Sequence, residues 1–138
     1  MSIITDTKTG LINGPFQNHL EALSRSRSWY SWAGYAAPST LDCVEFEYFA
    51  LRNQASLFDI SPLHKYRIKG AEADLMLNRL LTRNVSKIKL GKVGYAIWCN
   101  QDGMLIDDGT LFHLSEGDWR LCCQEPMLDW LLEAAWGH

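Results

Sequence analysis

The chain has 138 residues, a length that fits one ordinary domain, and 47% of them are hydrophobic while 21% are charged. This composition is typical of a folded globular protein and excludes an intrinsically disordered one. The net charge of −3 excludes a strongly basic surface of the kind that binds nucleic acid. No apolar run approaches the roughly 18 residues that a membrane-spanning helix needs.

The first half of the chain predicts loops and helices. Residues 1–40 are rich in Gly, Pro, Ser and Arg, and they predict a loop-rich lead-in with one short helix at Gln17–Leu23. Ser39 or Thr40 is placed to cap a second helix that ends near residue 54. Residues 56–60 and 64–68 have the composition of short strands, and an apolar stripe in 71–83 predicts a third helix.

The second half predicts three consecutive antiparallel strands. The strands are expected at Val93–Cys99, 104–114 and 119–124, because turn signals that contain Gly103 and Gly117 separate them. Pro126 is suited to the first position of a helix over residues 127–136. The expected fold class is therefore α+β, with an antiparallel β-meander packed against helices.

Two adjacent carboxylates in the second of these strands, Asp107 and Asp108, are the strongest chemical signal. Strands are poor in Asp, and burying a charge is costly. Side chains alternate between the two faces of a strand, so the two carboxylates cannot act on one ligand from the same face. Alternation groups Asp108 with apolar neighbours, which predicts that Asp108 faces a cavity while Asp107 points away and holds the adjacent turn. A bulge at Gly109 would reverse this assignment or expose both carboxylates.

Neither the four cysteines nor the four histidines have metal-ligand spacing, so no metal site is expected. The cysteines lack a C-x-x-C pair, and adjacent Cys122 and Cys123 would point to opposite faces of a strand. Buried, reduced thiols in a cytoplasmic protein are the simplest interpretation, since no secretory signal is visible at the amino terminus.

Five blocks of the sequence resemble the T-protein (aminomethyltransferase) family, in the order in which that family has them. They run from about Trp32 to Trp130, and they include a segment similar to "LFDVSH" and a segment similar to "Y..MLNE.GG..DD". The blocks are Trp32-Ala33-Gly34-Tyr35, Glu47 to Arg52 with Ser56 to Ser61, Lys69-Gly70-Ala71, Tyr95 to Asn100 with Gly103 to Asp108, and Trp119 to Cys122. Departures at Pro62-Leu63-His64, Cys99 and Gly109-Thr110 indicate a divergent member.

The resemblance implies a tetrahydrofolate-binding fold and a role in one-carbon transfer. The second Asp of the family's "DD" pair lies by the reactive nitrogens of the folate, and it corresponds to Asp108. The tyrosine that precedes the family's "MLN" corresponds to Tyr95, which is then expected to line the cofactor pocket.

Family members are considerably longer, so residues 1–138 are expected to be part of a folate-binding domain, either as a fragment or as a subunit. The implied function is transfer of an aminomethyl, methylene or methyl carbon to tetrahydrofolate, with Asp108 stabilising positive charge or accepting a proton. The alternative is a non-catalytic folate-binding or interaction module. The chain alone is expected to be inactive, and to self-associate or bind a partner chain that supplies the missing domains.

Overall fold

The chain forms two compact units in the computed structural model, which describes residues 3–4, for their backbone only, and residues 10–136. The first unit is Met1–Pro62 and the second is Leu63–His138. The division follows Pro62, in the turn that leads into the first strand of the second unit.

The first unit contains a three-stranded antiparallel sheet and two helices. The strands are β1 (Ile3–Ile4), β2 (Trp29–Trp32) and β3 (Tyr35–Pro38), in spatial order β1-β2-β3. The helices are α1 (Gln17–Leu23), which lies where the sequence predicted it, and α2 (Val44–Asn53).

The β2–β3 hairpin corrects the prediction of a lead-in without strands. Its two-residue loop, Ala33-Gly34, has positive φ at both positions (48° and 84°), and loops of this kind match the twist of the strands they join. The flanking aromatic residues favour strands, and Trp29 is 3% exposed. The expected strand at residues 56–60 is also wrong, because the backbone there is irregular and the Asp59 carboxylate accepts the Ser61 N–H at 2.9 Å.

Helix α2 begins at Val44 and not at residues 39–40. The N–H groups of Leu41 and Asp42 donate to the Glu47 carboxylate, so these two residues turn outside the helix instead of opening it. None of the ten residues of α2 is buried, although several are large and apolar.

The second unit is a four-stranded antiparallel sheet with helices on one face, as the predicted fold class requires. Its strands are β4 (His64–Lys69), β5 (Val93–Cys99), β6 (Leu105–Ser115) and β7 (Asp118–Cys123), in spatial order β4-β7-β6-β5. Its helices are α3 (Ala73–Leu80) and α4 (Leu128–Ala134), with a short 3-10 turn at Val85–Lys87.

The core of this unit lies between the helices and one face of the sheet. Trp98, Leu111, Trp119 and Leu121 line that face with no exposed surface, and Leu77 of α3 is equally buried. No helix in the described ranges is long and apolar enough to cross a membrane.

Candidate functional site

Tyr95 and Asp108 form a hydrogen-bonded pair on the face of the sheet opposite the core. Ile97 lies opposite Asp108 in the β5–β6 register, and Tyr95 lies two residues before Ile97 on the same face. The Tyr95 hydroxyl donates to Asp108 Oδ2 at 2.7 Å. The sequence predicted these two residues as site residues from their family positions, and the structure brings them together.

The burial of the two carboxylates is the reverse of the one predicted from strand alternation. Asp107 is 8% exposed and points to the core side, whereas Asp108 is exposed. The Asp107 carboxylate accepts the N–H of Asp108 at 2.8 Å and the N–H of Glu125 at 3.0 Å. Asp107 thus joins β6 to the segment that leads into α4, and not to the adjacent turn that the sequence suggested.

The reversal arises because the core packs on the face of β6 that carries Asp107 and the fully buried Leu111, while Asp108 lies on the other face with Phe112. A β-bulge contributes, because it places Ile106, one of the apolar residues that alternation groups with Asp108, against the core. Trp98 pairs with Asp107 but the next residue, Cys99, pairs with Leu105, so Ile106 is an extra residue on β6. Two residues of one strand then oppose one residue of the other, and alternation is broken at that point. Leu105 is 64% exposed for the same reason, although simple alternation would place it beside Asp107. The sequence analysis had allowed for a bulge at Gly109, three residues further on.

The Tyr95–Asp108 contact also raises the pKa of the phenol. Its hydrogen bond to the Asp108 carboxylate, more than its partial desolvation, raises the pKa of Tyr95 above the usual value of 10.0. The hydroxyl therefore stays protonated at neutral pH and keeps donating. Asp108 Oδ1 accepts no hydrogen bond from the part of the chain that the structure describes, so one carboxylate oxygen is available to a ligand.

Gly109 allows β6 and β7 to approach closely beside the pair. A Cβ atom at this position would lie 2.1 Å from the Cys122 carbonyl oxygen, which is backbone and cannot move aside. A glycine inside a strand commonly marks such an approach. The sequence singled out Gly109 as a departure from the family pattern and as a possible bulge, but it did not indicate this close approach of β6 and β7.

An ion-pair cluster lies at the other end of the sheet, and sequence reasoning missed it. Arg67 forms a two-pronged contact with Asp118, with Nε–Oδ1 at 2.9 Å and Nη2–Oδ2 at 2.7 Å, while Lys69 Nζ is 3.6 Å from the same carboxylate. The hydrogen bonds from Arg67, together with both cationic charges, lower the pKa of Asp118 to about 2. Arg67 and Asp118 are far apart in sequence, and no local pattern indicates the contact.

The four histidines were not predicted to bind a metal, and they lie in both the described and the undescribed parts of the chain. His113 stacks on Trp119 with ring centroids 3.9 Å apart, and its Nδ1 is hydrogen-bonded to the Ile88 carbonyl at 2.8 Å. His138 lies outside the described residues. Within residues 10–136, no three His, Cys, Asp or Glu side chains converge in a way that could hold a metal ion.

Comparison with known proteins places this chain in a family. The family model described as "GCVT N-terminal domain" matches residues 19–136. The "Aminomethyltransferase" of Bacillus pumilus is 34% identical over 106 residues, which cover 74% of this chain and 29% of that protein. The "Probable aminomethyltransferase" of Halobacterium salinarum is 31% identical over 110 residues, which cover 80% and 30% of the two chains.

The fold is shared with a solved structure. The glycine cleavage system aminomethyltransferase T from Bartonella henselae superposes with a TM-score of 0.74 at 23% identity, over 93% of this chain and 36% of that one. The chain thus spans about 30% of the length of the curated relatives it matches. The superposition shows the shared fold, and the family model, which matches residues 19–136, shows that the chain belongs to the T-protein (aminomethyltransferase) family and corresponds to its GCVT N-terminal domain.

Proposed function

We propose that this chain is part of a folate-dependent one-carbon transferase in which Tyr95 and Asp108 contact tetrahydrofolate. The observation that carries the proposal is the hydrogen-bonded Tyr95–Asp108 pair on the face of the sheet that the core does not occupy. The reaction is transfer of an aminomethyl, methylene or methyl carbon, which the membership of the family supports.

The chemistry of the pair fits a reduced folate. A carboxylate oxygen without a partner accepts a hydrogen bond from a ligand N–H group, and Asp108 Oδ1 has this property within the described residues. The Tyr95 ring is 56% exposed and offers a flat surface next to that oxygen. Tetrahydrofolate, when bound, supplies the nitrogen atoms that take up the one-carbon unit.

Asp108 contributes a fixed negative charge to this reaction. Positive charge on the carbon donor or on nitrogen is stabilised by an anion that is already held in place, and most effectively where water is excluded. Tyr95 positions this charge, because its hydroxyl donates to Oδ2 and leaves Oδ1 facing the ligand. In this proposal the parts of the longer relatives that follow this region exclude the water.

The remaining domains are supplied by further sequence, by a partner chain or by self-association. Exposed apolar side chains on α2 support this part of the proposal, since Val44, Phe46 and Phe49 are 63%, 68% and 59% exposed. Calorimetry on this chain alone should detect weak folate binding or none, because a pocket with only some of its contacts loses most of its affinity. Micromolar binding by a monomer would contradict this expectation. We also propose a cytoplasmic location, which the four unpaired cysteines support.

The test is a folate-dependent transfer assay on a full-length protein in which residues 19–136 replace the matching region of a relative. Asp108→Asn should lower the transfer rate by about 100-fold with the fold intact, because the amide keeps the shape and removes the charge. Tyr95→Phe should cause a smaller loss, since it removes only the positioning hydroxyl. Asp102→Asn is the matched control, because Asp102 is an exposed carboxylate in the β5–β6 turn. Activity of Asp108→Asn equal to that of the control would reject the proposal. Folate binding without transfer by the unmodified chimera would favour the non-catalytic alternative.

A further inference from the structure

Strand β4 is an edge of the four-stranded sheet, with hydrogen-bonding groups that no strand of the described chain uses. β4 pairs with β7 on one side and comes last in the sheet order. Just after β4, the Gly70 N–H points towards β7 and donates to the carbonyl of Gly117, in the β6–β7 turn, at 3.0 Å. The N–H and C=O groups of successive residues point alternately to the two sides of a strand. The main-chain groups of Lys69 and Arg67 therefore point away from β7.

An apolar groove runs beside this edge on the helical side of the sheet. It has a volume of about 710 Å³, and α3 and α4 line it together with β4. Leu128 and Leu132 of α4 are 53% and 60% exposed there, while Met76 of α3 lies at its base and is buried. Exposed leucines next to an unpaired strand edge are unusual, because such an edge is prone to pairing with another chain.

The charges on β4 determine what kind of chain fits the edge. Lys65, Arg67 and Lys69 are among the residues that line the groove, but strand alternation directs their side chains to the other face of the sheet, where Arg67 and Lys69 contact Asp118. Antiparallel pairing of two β4 strands would set cations against cations, which is destabilising. An acidic strand would instead set carboxylates beside three cations that have one carboxylate, Asp118, between Arg67 and Lys69.

We propose that the β4 edge and its groove bind an extended segment of a different polypeptide, in which apolar and acidic side chains alternate. The segment adds a fifth strand to the sheet through main-chain hydrogen bonds to Arg67 and Lys69. Its apolar side chains pack on Leu128 and Leu132, and its acidic side chains lie beside the β4 cations. Alternation is required because successive side chains of a strand point to opposite faces. The inference is independent of folate binding and of catalysis.

The experiment measures fluorescence anisotropy of labelled peptides about as long as β4, with leucine and glutamate in alternation, added to the whole chain. We expect saturable binding that weakens as salt is added. Two control peptides isolate the mechanism: one has the same residues in two blocks, and the other is N-methylated at alternate residues to remove donors to the edge. Both should bind at least about tenfold more weakly.

Variants of the chain locate the site. Leu132→Asp should weaken binding of the alternating peptide by about tenfold, because it removes an apolar contact and puts a charge against the apolar side chains of the peptide. Leu75→Asp is the matched control: Leu75 is 58% exposed on α3 and does not line the groove, so binding should be unchanged. A thermal melt of each variant checks that it is folded.

Three results would overturn the proposal. The first is absence of binding, which is expected if the β4 cations serve only to keep edges apart. The second is equal binding of the alternating and N-methylated peptides, or equal loss in the two leucine variants. The third is a dimer of the chain that Leu132→Asp dissociates, because a second copy would then occupy the edge.

Discussion

Replacing Asp107 by asparagine should destabilise the second unit far more than the same replacement at Asp108. The buried Asp107 carboxylate accepts two main-chain N–H groups, one on each oxygen. An asparagine has a single acceptor oxygen, so either the Asp108 or the Glu125 N–H would face an amide NH2. The loss of one hydrogen bond to a charged group, with a donor left unsatisfied, should cost about 2–3 kcal/mol.

A thermal melt followed by circular dichroism measures this difference. In a unit of this size each kcal/mol shifts the melting temperature by roughly 4–8 °C, so Asp107→Asn should melt roughly 10–20 °C lower. Asp108→Asn should stay within about 0.5 kcal/mol of the unmodified chain, because the side chain is exposed and, among the described residues, its carboxylate accepts a hydrogen bond from the Tyr95 hydroxyl alone. Equal melting temperatures for the two variants, or a larger loss for Asp108→Asn, would refute the assignment of Asp107 to structure and Asp108 to the ligand.

Three further predictions follow from the second unit. Gly109→Ala should destabilise it by several kcal/mol in chemical denaturation, since the new Cβ would lie 2.1 Å from the Cys122 carbonyl oxygen; a wild-type midpoint would contradict that geometry. The pKa of Asp118 is lowered from 3.8 to about 2, so its ion pairs contribute stability that is complete above about pH 4. That contribution is lost as the pH falls through 2, and Asp118→Asn should flatten the stability curve in this window. Burial raises the pKa of Cys123 to about 12, so iodoacetamide should label half-buried Cys99 in the native protein and Cys123 only after unfolding, as mass spectrometry would show.

The elements that sequence predicted well are those with a strong local pattern. The meander has alternating apolar residues and glycine-containing turns, and its strand β5 lies at the predicted Val93–Cys99. Helix α3, at Ala73–Leu80, is shorter than predicted. The prediction followed the stripe of apolar residues, which continues past the residue where the helix ends. Residues 56–60 have the composition of a strand, but they belong to neither sheet of the described chain, and composition alone does not supply a pairing partner.

For the candidate site, the sequence indicated two residues that lie together in the structure, but it did not indicate their geometry. Family position identified Tyr95 and Asp108, and their hydrogen bond supports that choice. The face assigned to Asp108 was wrong because both faces of β6 carry apolar residues, and the sequence alone does not show that the core packs on the face of Leu111 and Asp107. The bulge at Ile106 was also hidden, since a bulge is a property of two paired strands. The Arg67–Asp118 contact was missed for a related reason, since it depends on the pairing of β4 with β7.

The bulge at Ile106 also determines where β6 can accept an inserted or deleted residue. Residues that enter or leave the β5–β6 turn lie before the bulge, where the ladder already accommodates one unmatched residue. A change of length there can be absorbed by moving or removing the bulge, and Asp107 and Asp108 keep their faces. Between the bulge and Gly109 every residue of β6 is matched by one residue of β5. One residue added between the Asp pair and Gly109 would therefore turn Asp108 into the core and Asp107 outward. Homologous turns of different length are therefore compatible with the same site, whereas the spacing from the Asp pair to Gly109 is fixed.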